Sequence, residues 1–158
     1  MSQTWPPKDL AQWFKDFRYF TPIQVRFSDT DLIGHINNVS YITYFEFGRV
    51  QYLKDLGLYQ LLAEPEPGKK GTIVAASIEC HYLRPAYYEQ EIQIGARVSR
   101  IGNSSFDFQY AVTIPAEKSI AAIGKGAVVY IDPQTGKSQP LPEEAKNIML
   151  SYEENITV

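Results

Sequence analysis

Four long segments in the second half of the chain alternate between apolar and polar residues with a period of two. They are residues 72–83, 90–101, 105–114 and 119–132. This period is typical of β-strands, because successive side chains of a strand point to opposite faces. Several segments approach 12 residues, and at ~3.3 Å per residue such a strand spans roughly 40 Å. The separators at 102–104 and 115–118 are short enough for hairpins. The pattern therefore predicts a long antiparallel sheet.

One long helix is predicted before this sheet. The segment from about Asn38 to Leu56 has apolar residues on nearly every side, and Gly57 follows as a common helix terminator. A helix without a polar face is expected to be enclosed. At 1.5 Å per residue it spans roughly 27 Å, so the longer strands can curl around it and cover most of its sides. The predicted fold class is α+β, with a long curved antiparallel sheet wrapped around a central helix.

Weaker patterns flank these elements. A short amphipathic helix is predicted where apolar residues recur at helical spacing, at Leu10, Trp13, Phe14 and Phe17. The segment 21–28 predicts a strand that buries Ile23, Val25 and Phe27. Residues 142–150 predict a terminal helix, followed by a loose tail. With 158 residues, the chain is expected to form a single domain with its core at about 20–142.

Charge and composition narrow the classes of function. The net charge is −3 and the isoelectric point is near 5.4, which gives no electrostatic case for binding nucleic acid or an anionic membrane. Cys80 is the only cysteine, and neither it nor the two histidines has metal-ligand spacing. No signal-peptide pattern or bilayer-spanning apolar run is present. A cytoplasmic protein that binds no metal is expected.

A cluster of polar residues stands directly before the apolar helix. We call residues 29–38, which read DTDLIGHINN, the polar loop. Asp and Asn are common in turns because their side chains satisfy backbone N–H groups. Asn is also a preferred helix N-cap. Turn chemistry explains part of this cluster, and Asp31 is the candidate for a second role.

These elements in this order resemble the hotdog fold, and the sequence is similar to the 4-hydroxybenzoyl-CoA thioesterase family of acyl-CoA thioesterases. The resemblance covers roughly residues 22–142. It depends on the motifs Asp29-Thr30-Asp31, Gly34, Asn37-Asn38, Tyr41, Glu46 to Arg49, YLRPAYYEQEI, GKGAVVYID and LPEE. It implies hydrolysis of an acyl-CoA thioester to a free acid and coenzyme A, with no cofactor beyond the coenzyme A of the substrate. A homodimer or homotetramer is also expected, because the long strand 72–83 would leave an unpaired edge in a monomer. The pantetheine arm would then lie between subunits.

The resemblance implies that Asp31 faces the thioester. A carboxylate without hydrogen-bond partners beside an aromatic cleft is poorly solvated and therefore a stronger base. Asp31 would then deprotonate water or attack the carbonyl directly, and the sequence leaves both mechanisms open. The alternative is that Asp31 only caps a turn. Asp29 is predicted to form the turn by bonding backbone near Asp31.

The helix start is the predicted oxyanion site. The first N–H groups of a helix have no intrahelical acceptor and lie at the positive end of its dipole. The resemblance assigns the oxyanion donor to the backbone N–H of Asn38. Gly34 would allow a close approach, and His35 is read as a turn residue more than as an acid or base. Substrate contacts are expected from Gly34, His35, Asn37, Tyr41 and Arg84.

The remaining candidates are less specific. Glu46 is an alternative catalytic carboxylate, although an i, i+3 pair with Arg49 would neutralise it. Arg84 and the Lys69-Lys70 loop are candidates for the phosphates of coenzyme A, because Arg pairs well with phosphate. The competing function is a non-catalytic binding or accessory protein for acyl-CoA or acyl carriers, since fold does not decide function. A hotdog dehydratase is a weaker alternative.

Overall fold

The described residues contain six strands that form one antiparallel sheet. The computed structural model describes residues 4–63, 67–68 and 71–158. The strands are β1 (Tyr19–Ile23), β2 (Thr72–Ala75), β3 (Glu79–Tyr82), β4 (Ile92–Ile101), β5 (Ser105–Ile114) and β6 (Ser119–Ile131). The order is β1-β4-β5-β6, and both β2 and β3 pair with the far side of β6. The predicted strands β4, β5 and β6 are confirmed to within two residues at each end.

Four α-helices accompany the sheet within the described ranges. They are α1 (Leu10–Phe14), α2 (Asn38–Asp55), α3 (Leu58–Leu62) and α4 (Glu143–Tyr152). Gly57 ends α2 with a left-handed φ of 73°, as its position predicted. The short α3 was not predicted, and α1 is shorter than its apolar pattern suggested, because Phe17 lies beyond its end.

The central helix packs one side against the concave face of the sheet. Its buried side chains are Tyr41, Tyr44, Phe45, Tyr52 and Leu53. The ring of Phe45 stacks on Tyr110 of β5 at a centroid distance of 4.9 Å. Gly124 of β6 makes room for this ring, since a Cβ there would lie 2.3 Å from Phe45. The predicted fold class, a curved antiparallel sheet against a central helix, is confirmed.

The other side of α2 is uncovered, so the prediction of an enclosed helix is wrong for a single chain. Val39 is 64% exposed, and Ile42 and Phe47 are also exposed. We call these three residues the apolar stripe. The sheet contacts only one side of the helix and stops at β2 and β3, so nothing within the described part of one chain covers the stripe.

The edge of the sheet next to the stripe is interrupted. The predicted continuous strand 72–83 is divided into β2 and β3, because the register shifts between them. Ala75 lies opposite Val128, and Glu79 lies opposite Lys125. Four residue steps on the edge therefore oppose three on β6, which is a β-bulge with one extra residue. The Ser77 side chain accepts the Ala127 N–H at 3.1 Å inside this bulge.

Two predictions near the chain termini need correction. Strand β1 ends at Ile23, and Phe27 is exposed in a 3₁₀ turn (Phe27–Asp29) instead of buried in a strand. The C-terminal tail is not loose. Thr157 donates to the Ser99 carbonyl at 3.0 Å and accepts from the Ile101 N–H at 2.8 Å. The tail thus covers the edge of β4 that β1 leaves open.

The convex face of the sheet carries the N-terminal segment. Trp13 and Phe17 pack on Ala111 and Ile123 in a second, smaller cluster. A groove of about 940 Å³ lies on this face between α1 and the C-terminal tail. Among the described residues, no helix is both long and apolar enough to cross a bilayer, and the expected cytoplasmic location stays a prediction.

Candidate active site

The polar loop is a tight hairpin in front of α2. The Asp29 carbonyl accepts the Asn37 N–H at 2.7 Å, and the Asp31 N–H donates to the His35 carbonyl at 2.8 Å. The Asp31 carbonyl also accepts the Gly34 N–H at 3.1 Å. Gly34 has a φ of 84°, which is the left-handed conformation expected after a type I turn in a three-residue hairpin. The backbone conformation therefore accounts for Gly34, because a Cβ there would meet no atom within 4 Å.

The Asp31 carboxylate is not the unbonded group that was expected. Its Oδ1 accepts the N–H groups of Ile33 at 2.9 Å and of His35 at 3.2 Å, which is an Asx turn. In the described part of the chain, Oδ2 has no hydrogen-bond partner, and the side chain is exposed. Asp31 therefore caps the turn with one oxygen and keeps the other available.

Asp29 has the opposite environment. It is 6% exposed, and its carboxylate accepts the Arg26 N–H at 2.9 Å, the Tyr44 hydroxyl at 3.0 Å and the Arg26 guanidinium at 3.1 Å. Burial alone would raise the pKa of Asp29, but these three hydrogen bonds together lower it. The side chain thus bonds backbone before the loop and a tyrosine of α2, and not backbone near Asp31 as predicted.

One backbone N–H at the start of α2 has no hydrogen-bond acceptor among the described residues. Asn37 is the N-cap, and its side chain accepts the Val39 N–H at 3.1 Å. Among the described residues, the Asn38 N–H has no recorded acceptor. The Tyr82 hydroxyl of β3 donates to the Asn38 carbonyl at 2.9 Å. An N–H at the positive end of an 18-residue helix is suited to bind an oxyanion.

A second loop lies beside the polar loop. The Ala86 carbonyl accepts the Ile36 N–H at 2.7 Å. The rings of His35 and Tyr87 meet edge to face at 5.0 Å. His35 therefore occupies a turn position packed on an aromatic ring, in agreement with its interpretation as a turn residue.

Tyr41 is a buried residue in the first turn of α2. Its side chain is buried, and its ring is 5.4 Å from that of Tyr82. Burial raises the pKa of Tyr41, and the Ala86 backbone partly opposes this effect. Tyr41 thus packs in the core beside Tyr82, near the start of α2. Its expected contact with substrate remains a prediction.

Glu46 stands apart from the polar loop. The expected pair with Arg49 does not form, because the Arg49 guanidinium donates to the Tyr110 hydroxyl at 3.4 Å and no ion pair of Glu46 is found in the described ranges. Burial raises the pKa of Tyr110 to about 12, although Arg49 lowers it. Eight residues of helix separate Glu46 from Asn38, about 12 Å along the axis at 1.5 Å per residue. Within one chain these two groups cannot act on the same carbonyl.

Of the residues predicted to bind the phosphates of coenzyme A, the structure describes only Arg84. Arg84 forms an ion pair with Glu117 at 3.8 Å, with both side chains about half exposed. Such a surface pair contributes little free energy, so the guanidinium can exchange Glu117 for another anion. Lys69 and Lys70 lie outside the described residues.

Two tyrosines form hydrogen bonds in the candidate site that the sequence did not predict. Tyr44 bonds Asp29, and Tyr82 bonds Asn38. The alternation of β3 placed Tyr82 on one face of the strand, but its reach to the helix start depends on tertiary packing. The convex groove is not part of this site, because Gln109 and Lys125 on the opposite face of the sheet line it. No group of three or more His, Cys, Asp or Glu among the described residues is arranged to hold a metal ion.

Comparisons with known proteins agree on one family. The model of the thioesterase-like superfamily matches residues 25–149. The uncharacterized protein YsmA of Bacillus subtilis (strain 168) is 32% identical over 141 residues, which covers 89% of this chain and 91% of YsmA. The acyl-CoA thioester hydrolase YbgC of Escherichia coli O157:H7 is 25% identical over 77% of this chain and 88% of its own. A thioesterase from Thermus thermophilus, solved with coenzyme A and Zn, superposes with a TM-score of 0.71 at 28% identity, covering 87% of this chain and 95% of its own.

Proposed function

Since the chain belongs to the thioesterase-like superfamily, we propose that it hydrolyses acyl-CoA thioesters to a free acid and coenzyme A, with Asp31 as the base or nucleophile. Thioester hydrolysis is the activity class of the chain. The acyl-CoA substrate is supported by the name of the relative YbgC and by the coenzyme A bound to the Thermus thermophilus thioesterase.

The observation that carries the proposal is that Asp31 and the Asn38 N–H belong to the same ten-residue polar loop. Asp31 is held through Oδ1, so its orientation is set by the turn while Oδ2 remains available. The Asn38 N–H is an uncommitted donor at the other end of the same short loop, as far as the described residues extend. A thioester carbonyl between the two would place the attacking oxygen on one side and the developing oxyanion on the other.

The mechanism needs few groups. Asp31 takes a proton from water as the water attacks the carbonyl carbon, or its Oδ2 attacks directly and water then hydrolyses the acyl-enzyme. The Asn38 N–H stabilises the oxyanion that forms in either case. The thiolate of coenzyme A leaves as the carbonyl re-forms. Under this proposal water and substrate suffice, and no further cofactor takes part.

The surroundings of the helix start suit an acyl-CoA. Val39 and Ile42 of the apolar stripe, with the exposed Tyr82, offer an apolar surface to the acyl group. Arg84 can bind a phosphate of coenzyme A by giving up its loose contact with Glu117.

A second copy of the chain would complete the cleft. Asp31 is exposed in one chain, and water around a carboxylate weakens both its basicity and its interactions with substrate. The edge formed by β2 and β3 has no further strand paired to it among the described residues, and Tyr82 of β3 joins it to the start of α2. A two-fold partner across this edge would enclose the acyl group against the apolar stripe and exclude water from the site. We therefore expect a homodimer or a homotetramer built from dimers.

A panel of acyl-CoAs tests the proposal. Short, medium and long fatty acyl-CoAs and aryl-CoAs are incubated with the protein, and the released thiol is measured. Turnover of at least one acyl-CoA is expected. Binding without thiol release on every substrate would contradict hydrolysis and favour the alternative of an acyl-CoA or acyl-carrier binding protein.

A further inference from the structure

We propose that Asp29 is the positioning residue of this site. Together with Tyr44 it holds the polar loop against the first two turns of α2, and so sets where Asp31 lies relative to the Asn38 N–H. This inference deepens the proposed function and rests on it.

The buried carboxylate of Asp29 has the hydrogen-bond donors that a buried charge requires. Three donors surround its carboxylate at 2.9 to 3.1 Å, two from Arg26 and one from the Tyr44 hydroxyl. A buried carboxylate without such partners would be strongly destabilising. The hydrogen bond to Tyr44 is the link of this side chain to α2.

The backbone of Asp29 makes two further contacts to the same helix. Its carbonyl accepts the Asn37 N–H at 2.7 Å and the Ser40 hydroxyl at 3.0 Å. One residue thus contacts α2 at its N-cap, in its first turn and, through Tyr44, in its second turn. We call this set of contacts the Asp29 clamp.

The clamp joins the two segments that carry the proposed reacting groups. Asp31 follows Asp29 by two residues, and Asn38 follows the clamped Asn37 by one residue. The hairpin between them is internally bonded, so it moves as a unit when its attachment to the helix changes. A displacement of about 1 Å at a reacting centre can cost roughly 100-fold in rate. Loosening the clamp should therefore slow the chemical step while leaving the acyl-binding surface intact.

Tyr44→Phe tests the clamp with the smallest change. It removes the hydroxyl that reaches Asp29 and keeps the buried ring. The matched control is Tyr52→Phe, which removes a hydroxyl from another buried tyrosine of α2, one that donates to Glu153 at 2.7 Å. We expect kcat of Tyr44→Phe to fall about tenfold with KM unchanged within about twofold, and Tyr52→Phe to keep the wild-type kcat. Equal kcat values for the two variants would overturn the positioning role.

A double variant tests whether the two residues act as a unit. Asp29→Ala removes the acceptor, so adding Tyr44→Phe to it should lower kcat no further. A multiplicative loss in the double variant would show that Tyr44 acts independently of Asp29, which would overturn the proposal.

Amide hydrogen exchange gives a readout that does not depend on activity. The Asn37 N–H is bonded to the Asp29 carbonyl, so its exchange should accelerate in Tyr44→Phe and remain at the wild-type rate in Tyr52→Phe. If the wild-type protein cleaves no thioester, the proposed function fails, and this experiment still decides whether the clamp holds the loop. Identical Asn37 exchange in both variants would overturn the clamp.

Discussion

The hydroxyl of Tyr82 donates a 2.9 Å hydrogen bond to the backbone carbonyl of Asn38. This bond joins the edge strand β3 to the first residue of α2. It holds the helix start through the carbonyl, and the N–H of the same residue has no acceptor in the part of the chain that the structure describes. The donor proposed to bind the oxyanion is therefore a fixed backbone group and not a mobile side chain.

Substitutions at Asn38 can separate the backbone N–H from the side chain. Asn38→Ala removes an exposed side chain that has no recorded partner among the described residues and keeps the N–H, so turnover should remain within a few-fold of wild type. Asn38→Pro removes the N–H at the first helical position, where proline is well tolerated. The preceding Asn37 already has the extended conformation that proline favours, with φ −61° and ψ 139°.

We expect Asn38→Pro to lose about 100- to 1000-fold in kcat, the usual effect of removing an oxyanion donor, with an unchanged melting temperature. Thiol release and thermal melting measure the two effects. An Asn38→Ala loss as large as that of Asp31→Ala would assign the role to the side chain instead.

The long strands and the long helix could be predicted from the sequence. The β-bulge at the sheet edge and the pairing of the C-terminal tail could not. Strands β4 to β6 follow from a sustained period of two, and helix α2 follows from a long apolar segment that ends at Gly57. The bulge between β2 and β3 shifts the core-facing positions by one residue, because Ile73 and Cys80 both pack on the core although an odd number of positions separates them. The apolar residues 74–76 between them hide this shift in the sequence. The tail that pairs with Ser99 and Ile101 has no strand pattern of its own, and only the open edge of β4 explains it.

The sequence indicated which residues share the polar loop, but it did not indicate the hydrogen bonds that they form. The motif resemblance placed Asp31, Gly34 and Asn38 in one loop, and the structure brings them together. The same sequence did not indicate which of two aspartates would be buried. That difference depends on Tyr44, which reaches Asp29 from the second turn of a helix, and on Arg26. Such contacts are set by tertiary packing and not by spacing.

The apolar stripe predicts assembly. Phe47 lies on the stripe and is 40% exposed, and Leu150 of α4 is equally exposed at 40%. If a second copy covers the stripe, Phe47→Glu should convert the protein to an 18.0 kDa monomer, because burying an unpaired charge in an interface is costly. Leu150→Glu is the control and should leave the assembly intact. Light scattering at micromolar concentration distinguishes the outcomes, and a monomeric wild-type protein would contradict the proposed interface.

Glu153 predicts an unusual dependence of stability on pH. Its Oε1 accepts the Tyr52 hydroxyl at 2.7 Å and the Val98 N–H at 2.9 Å, whereas Oε2 is buried without a partner among the described residues. Burial raises the pKa of Glu153 above its ordinary 4.5, although both hydrogen bonds and Arg97 oppose this. Its stabilising contribution is therefore complete below the unfolded pKa and is lost as the pH rises through the folded pKa.

Glu153→Gln should remove this dependence. Relative to wild type, the variant should gain free energy of unfolding as the pH rises from the ordinary pKa of 4.5 to the raised pKa of the folded state, by about 1.4 kcal/mol for each unit between the two. Urea unfolding at several pH values measures it, with the exposed neighbour in Glu154→Gln as a control that should follow the wild type. A wild-type advantage that grows with pH would mean that Arg97 stabilises the carboxylate more than burial destabilises it.

Asp132 offers a matched control for Asp31. Its Oδ1 accepts the Gln134 N–H at 2.8 Å, and Gly136 follows with a φ of 72°, so it caps a similar turn. Asp132 lies ten residues along β6 from Ala122, the partner of Tyr82, which is roughly 33 Å at 3.3 Å per residue. The two aspartates thus share a structural task and differ in position.

The most direct test is acyl-CoA cleavage by Asp31→Asn compared with Asp132→Asn. In both variants the asparagine oxygen can keep the turn hydrogen bonds, so both should melt within a few degrees of wild type. Asp31→Asn also removes the charge proposed to act as base or nucleophile, and its turnover should fall by at least ~100-fold, while Asp132→Asn keeps full turnover. A folded Asp31→Asn protein that cleaves acyl-CoA at the wild-type rate would contradict the mechanism.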